Sequence, residues 1–157
     1  VLDDVSEELQ YIRPGEKGNS VNWIAGHVAR YRFAIATMLG QESVCPWGDL
    51  FAKGTEASGS EQYPSLEEVK AEWKKISARM LKALEAATET QLTKEPPWTK
   101  PGIETTVRGT ITFLAFHESY HLGQLGYVRR LHGLDGAVGL FQVASYVSGS
   151  ISVQFII

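Results

Sequence analysis

The chain has 157 residues, 43% of them apolar and 21% charged, with a formal net charge of −3; it is long enough for one domain with a substantial core and too apolar to stay disordered. That charge, without any stripe of Lys and Arg, leaves no electrostatic footprint for nucleic acid, and no run of about 18 apolar residues is present to span a membrane. The lone Cys45 excludes an internal disulfide and suits a reducing, cytoplasmic setting.

The opening Val1-Leu2-Asp3-Asp4 holds neither Met nor a basic signal-like region, and Val1 to about Ile12 reads as the remnant of a helix. Asn19 or Ser20 then caps a predicted helix whose apolar positions Ile24, Val28, Tyr31, Ile35 and Met38 recur at three- and four-residue steps, with Gly40 as its stop. His27 falls on the apolar side. The connection from Gly40 to Pro64 is rich in Gly and Ser and long for a compact domain, a length that belongs to a segment crossing the fold or serving a site. Trp47, Leu50 and Phe51 are its expected anchors. Cys45, beside Pro46, reads as an unreactive thiol because no His or Lys lies near it in sequence.

Ser65 and Glu68 make a capping box. Behind it Leu66, Val69, Trp73, Ile76, Met80, Leu84 and Ala87 form the core stripe of the next helix. Pro96, Pro97 and Pro101 keep helix out of Thr93 to Gly102. A last helix is predicted from about Thr105 to His132, closed by Gly133, with His132 placed to complement the helix dipole. From Phe141 to Ile157 apolar and polar residues alternate with period two, which is strand-like. A lone strand pairs with another copy, folds back at Ser148-Gly149, or is a disordered tail. The chain thus divides into a helical domain, 1–139, and a tail, 140–157.

His117-Glu118-Ser119-Tyr120-His121 on the last helix places two imidazoles one turn apart on or beside the apolar side, a ligand spacing for zinc, nickel or iron. The same residues spell HExxH, the zinc-protease signature in which Glu118 would be the general base. The rest of that pattern is missing. No Glu follows Glu118, Tyr127 stands where a third His is needed, and Asp135, the only later acid, sits in a Gly-bounded turn. His27 is the remaining candidate ligand, facing inward from another helix as in bundle metal sites. Inward imidazoles need partners, and a shared ion serves them together; hydrogen-bonded core histidines are the plainer alternative.

Asn19-Ser20-Val21-Asn22-Trp23-Ile24-Ala25-Gly26-His27-Val28-Ala29 and Phe116-His117-Glu118-Ser119-Tyr120-His121-Leu122-Gly123-Gln124-Leu125 resemble the two signatures of the DinB-like (DinB/YfiT-like) metalloenzyme superfamily, over roughly Val5 to Gly139. The resemblance implies an all-α four-helix bundle with a long crossover between helices 2 and 3, and a divalent metal on three histidines matching His27, His117 and His121. It also implies a frequent homodimer. Characterised relatives include transferases and isomerases that use bacillithiol, mycothiol or glutathione. Two departures stand out: only Val1 to about Ile12 can represent a first helix of some twenty residues, and the tail has no counterpart.

The expected function is that of a metal-dependent enzyme acting on a small-molecule substrate, of the thiol S-transferase or hydrolase type, with a low-molecular-weight thiol as cosubstrate. A non-catalytic metal- or ligand-binding stress protein is the alternative, and a bundle with relic histidines a third. Glu118 is the candidate general base, or an acceptor orienting a histidine N–H, or an ordinary surface acid. Gln124 and Tyr120 are placed near the site or in packing.

Overall fold

Each α-helix among the described residues starts at a side chain that caps it. The computed structural model describes residues 1–55 and 62–137, and among these the elements are a 3-10 turn at Leu9–Tyr11 and helices α1 (Val21–Met38), α2 (Leu66–Glu85), α3 (Glu89–Leu92) and α4 (Val107–Leu131). The hydroxyls of Ser20, Ser65, Thr88 and Thr106 accept from the backbone N–H three residues on. At Ser65 the predicted capping box is complete: the Glu68 carboxylate accepts from the Ser65 N–H at 2.8 Å. Gly40 and Gly133, at φ 86° and 77°, take the left-handed turn that ends α1 and α4. The described residues are all-α and contain no strand. The predicted tail, Phe141 to Ile157, lies outside them.

Two apolar clusters fix the directions of the three long helices. One joins Ile24 and Val28 of α1, Val69 and Trp73 of α2, and Leu125 and Val128 of α4 with Phe51 and Tyr63 of the connection. The other joins Phe33 and Ile35, Ile76 and Met80, and Val107 and Leu114. Thus α1 and α2 run parallel, and α4 runs against both. A parallel pair obliges the chain between them to return the full length of α1, about 27 Å at 1.5 Å per residue, which accounts for the length of the 39–65 connection.

That connection is anchored where the Phe51 side chain is fully buried against Gly26. A Cβ on Gly26 would sit 2.4 Å from the Phe51 ring, so only glycine admits it. The sequence reading gave α1 one apolar face; in the fold its first turns are buried all round, from Val21 to Ala29, because α2, α4 and the connection enclose it. The short α3, capped by Thr88 with Gln91 three residues on, was not anticipated.

Residues 1–12 contain the 3-10 turn Leu9–Tyr11 and no α-helix, and they are held by buried polar contacts. Arg129, with no exposed surface, donates to both carboxylate oxygens of Asp4, at 2.5 and 2.7 Å, and to the Val1 carbonyl. The Gln10 side-chain oxygen accepts from Asn22 Nδ2 at 3.1 Å and from the Leu66 N–H at 2.9 Å, tying this segment to the starts of α1 and α2.

Candidate metal centre

His27 sits near the middle of α1, and His117 and His121 one turn apart on antiparallel α4, so the three imidazoles meet between the two helices. Their Nε2 atoms converge: His121 to His117 is 3.1 Å and His27 to His117 is 3.4 Å. All three offer a ligand atom within 4.8 Å of the others. His27 and His121 are only 2% and 6% exposed, and His117 is half-buried.

The far side of each buried ring decides its tautomer. His27 Nδ1 lies 2.6 Å from the Phe51 carbonyl; a carbonyl only accepts, so Nδ1 carries the proton and Nε2 presents a lone pair. His121 Nδ1 donates to the Gln124 side-chain oxygen at 2.8 Å, and the Gln124 amide in turn donates to the Tyr120 hydroxyl at 3.1 Å. Trp23 stacks on His27 at 4.4 Å, and Tyr31 sets its ring against His27 and His117 at 5.0 and 4.7 Å.

Burial dominates the electrostatics. It holds the His27 pKa down to about 4, against the upward pull of the Phe51 carbonyl, with the charges of His121 and Arg30 adding to the fall. His117 is lowered to about 4 by burial, then by His121, His27, Lys100 and Lys53. His121 is lowered by burial, opposed by its bond to Gln124. All three are therefore neutral near pH 7, the form that ligates metals.

This donor set fits a divalent ion. With Nε2 lone pairs on His27 and His121, a proton on His117 Nε2 can bridge to one neighbour only, and the lone pair of the other is left without a donor. Tetrahedral bonds of about 2.0–2.1 Å separate ligand nitrogens by roughly 3.3 Å, between the two distances found. Outer hydrogen bonds like those from Phe51 and Gln124 are the usual supports of metal-bound imidazoles. Three histidines form the open kind of site, which keeps a coordination position for water or substrate. The trio lines an open pocket of about 900 Å³ whose walls include Trp23, Tyr31, Trp98, Phe113, Lys53 and Lys100.

Glu118 turns elsewhere. Its two oxygens accept from Arg32 of α1, from Nε at 3.2 Å and from the terminal nitrogen in a closer contact. The Arg32 side chain is 1% and that of Glu118 14% exposed. Arg32 also donates to Ser77 of α2 and lies over the Trp73 ring at 4.7 Å. Among the described contacts Glu118 accepts from no imidazole, and it is not a wall of the pocket. It is not a surface acid either.

Tyr31 reads in the sequence only as an apolar helix position and Trp23 only as part of the first signature, although both stand four residues from His27 on its face and pack on the histidine rings. The Phe51 carbonyl and the burial of Arg32 left no local signal. Gln124 and Tyr120 do reach the site. His132 is exposed at the end of α4. Cys45 does not line the histidine pocket, and burial, the largest influence, raises its thiol pKa.

No helix among the described residues is long and apolar enough to cross a membrane. Neither a curated protein nor a solved structure matches the chain. The family model of the DinB superfamily matches residues 1–125, a span that includes α1, α2, α4 as far as Leu125, and all three histidines, and the chain belongs to the DinB superfamily.

Proposed function

We propose that this protein is a divalent-metal enzyme acting on a small molecule, of the thiol S-transferase or hydrolase type, with His27, His117 and His121 as the ligands. The observation that carries this reading is the convergence of three neutral imidazoles on the wall of an open pocket. Zinc, nickel and iron all suit such a donor set. When bound, the metal supplies Lewis acidity and lowers the pKa of water or a thiol toward neutrality.

The chain's own residues prepare that chemistry. The Phe51 carbonyl and Gln124 hold the protons of His27 and His121 on the outer nitrogens and turn the inner ones toward the pocket. Trp23, Tyr31 and Phe113 pack against the rings and exclude water from their faces. We assign Glu118, paired with Arg32, the role of a structural brace between α4 and α1 in place of a general base. A low-molecular-weight thiol as cosubstrate follows from the family resemblance, and a cytoplasmic setting from the lone Cys45. A homodimer has a further support: Phe116, Tyr120, Tyr127 and Leu131 lie exposed along one side of α4, an apolar stripe suited to a second copy.

The test is thiol-dependent turnover of an electrophilic small molecule, and ester or amide hydrolysis, by metal-loaded and chelated protein. The proposal expects one of these activities in the loaded protein, lost with His121→Ala. A loaded protein inert in both, across several thiols, would count for the non-catalytic binding alternative.

A further inference from the structure

We infer that the small molecule carries an anionic group, carboxylate or phosphate, which Lys53 and Lys100 hold at the mouth of the pocket while its reactive end reaches the three histidines. The inference rests on that pocket being a substrate site. The chain as a whole is acidic, at −3, yet among the described residues this pocket is lined by Arg13, Lys17, Arg30, Lys53 and Lys100 against a single acid, Glu16.

Two of those cations are engaged. Arg30 pairs with Asp49 at 2.8 Å, and Arg13 donates to the backbone carbonyls of Gly18 and Glu16. Among the described residues Lys17, Lys53 and Lys100 pair with no carboxylate. Lys100 is held close to the histidines: its ammonium lies 4.3 Å from the centre of the Phe113 ring, whose centre is 5.9 Å from that of His117. Lys53 approaches from the other connection, just beyond Phe51, whose carbonyl orients His27.

The histidines add no negative charge to offset this. Three neutral imidazoles leave a divalent ion its full charge, and Glu118, the nearest acid in sequence, is matched by Arg32. A cleft lined by one sign of charge concentrates ligands of the opposite sign. Exposed lysines act within a Debye length of about 8 Å at physiological salt, so the preference must weaken as salt rises.

The experiment has two arms. Cobalt-loaded protein is titrated with 3-mercaptopropionate, 2-mercaptoethanol and cysteamine, which carry the same thiol on an anionic, neutral and cationic frame, and binding is read from the thiolate-to-cobalt absorption. Exposed charge pairs contribute up to about fivefold each, so mercaptopropionate is expected to bind about tenfold tighter than mercaptoethanol at low salt, with cysteamine weakest. The order should flatten in the Lys53→Gln/Lys100→Gln double variant, whose cobalt affinity serves as the folding control. Equal binding of the three thiols, or an order unchanged in the variant, overturns the inference. Metal-free protein is titrated with malonate and inorganic phosphate, read by the fluorescence of the pocket tryptophans. Quenching that is lost in the double variant supports the anion site even where cobalt fails to bind, which would separate it from the metal proposal; the stronger quencher distinguishes carboxylate from phosphate. No lysine-dependent response to either anion overturns it.

Discussion

Two buried polar clusters bridge α1 and α4, one of them reaching α2 as well, and they differ in how completely they satisfy themselves. Arg32, Glu118, Ser77 and Trp73 close on one another: a two-point ion pair, a hydroxyl and an aromatic face meet the guanidinium. His27, His117 and His121 instead face one another with more acceptor nitrogens than protons to share. Glu118 and His117 are adjacent in sequence yet belong to different clusters. Self-satisfied polar groups brace a core, whereas convergent groups of one kind call for something from outside.

Breaking the brace should have the largest effect. Arg32→Ala leaves the Glu118 carboxylate buried without its partner, and losing one member of such a pair costs about 3–5 kcal/mol; chemical denaturation should register most of it. Replacing both, as Arg32→Met with Glu118→Leu, should recover much of the loss, since an apolar substitute of similar size is tolerated where a lone charge is not. A Glu118→Gln protein that remains folded should keep its metal affinity within a few-fold; a large loss of metal with intact stability would return Glu118 to the site.

Gly26→Ala lies between the clusters in consequence. The added Cβ meets the Phe51 ring, and overpacking of this kind costs about 1–3 kcal/mol. Because the Phe51 carbonyl holds His27, metal affinity should fall together with stability. Loss of one without the other would sever the proposed link between the crossover and the histidines.

The histidine cluster also makes stability depend on pH. In the metal-free protein His27 and His117 have folded pKa values of about 4, below the ordinary 6.5, so between these limits the unfolded chain binds more protons. Their contribution to stability is complete above about pH 6.5 and is lost as the pH falls toward 4. Denaturation midpoints across that window should drop in the metal-free wild type and drop less in His27→Ala. The smallest structural effect is expected from Gln124→Leu. It should shift stability little while lowering metal affinity about 10- to 100-fold, the usual consequence of removing an outer hydrogen bond to a ligand histidine.

How much of this was legible in the sequence follows from which contacts are local. The helix start at Ser65 is written in a residue pair three positions apart, Ser65 and Glu68, and the i, i+4 spacing of His117 and His121 survives in any helix. His27 could be recognised as the third member because it stands on an apolar face and the downstream ligands of a protease are absent. The direction of Glu118 was not legible: it depends on Arg32, 86 residues away, and nothing around Arg32 distinguishes it from the exposed arginines of other helices. The Phe51 carbonyl is a backbone group, invisible to any reading of side chains. Lys53 and Lys100 reach one pocket from two connections whose paths are set only by the parallel packing of α1 and α2.

The central claim is that the three histidines form one metal site, and direct titration of metal-free protein with zinc, nickel and cobalt tests it. The account predicts one ion per chain, with affinity reduced more than about 100-fold in both His27→Ala and His121→Ala, beyond the usual effect of losing an outer hydrogen bond. Folded wild-type protein that takes up none of these ions, or a His27→Ala variant that binds as tightly as wild type, would contradict it.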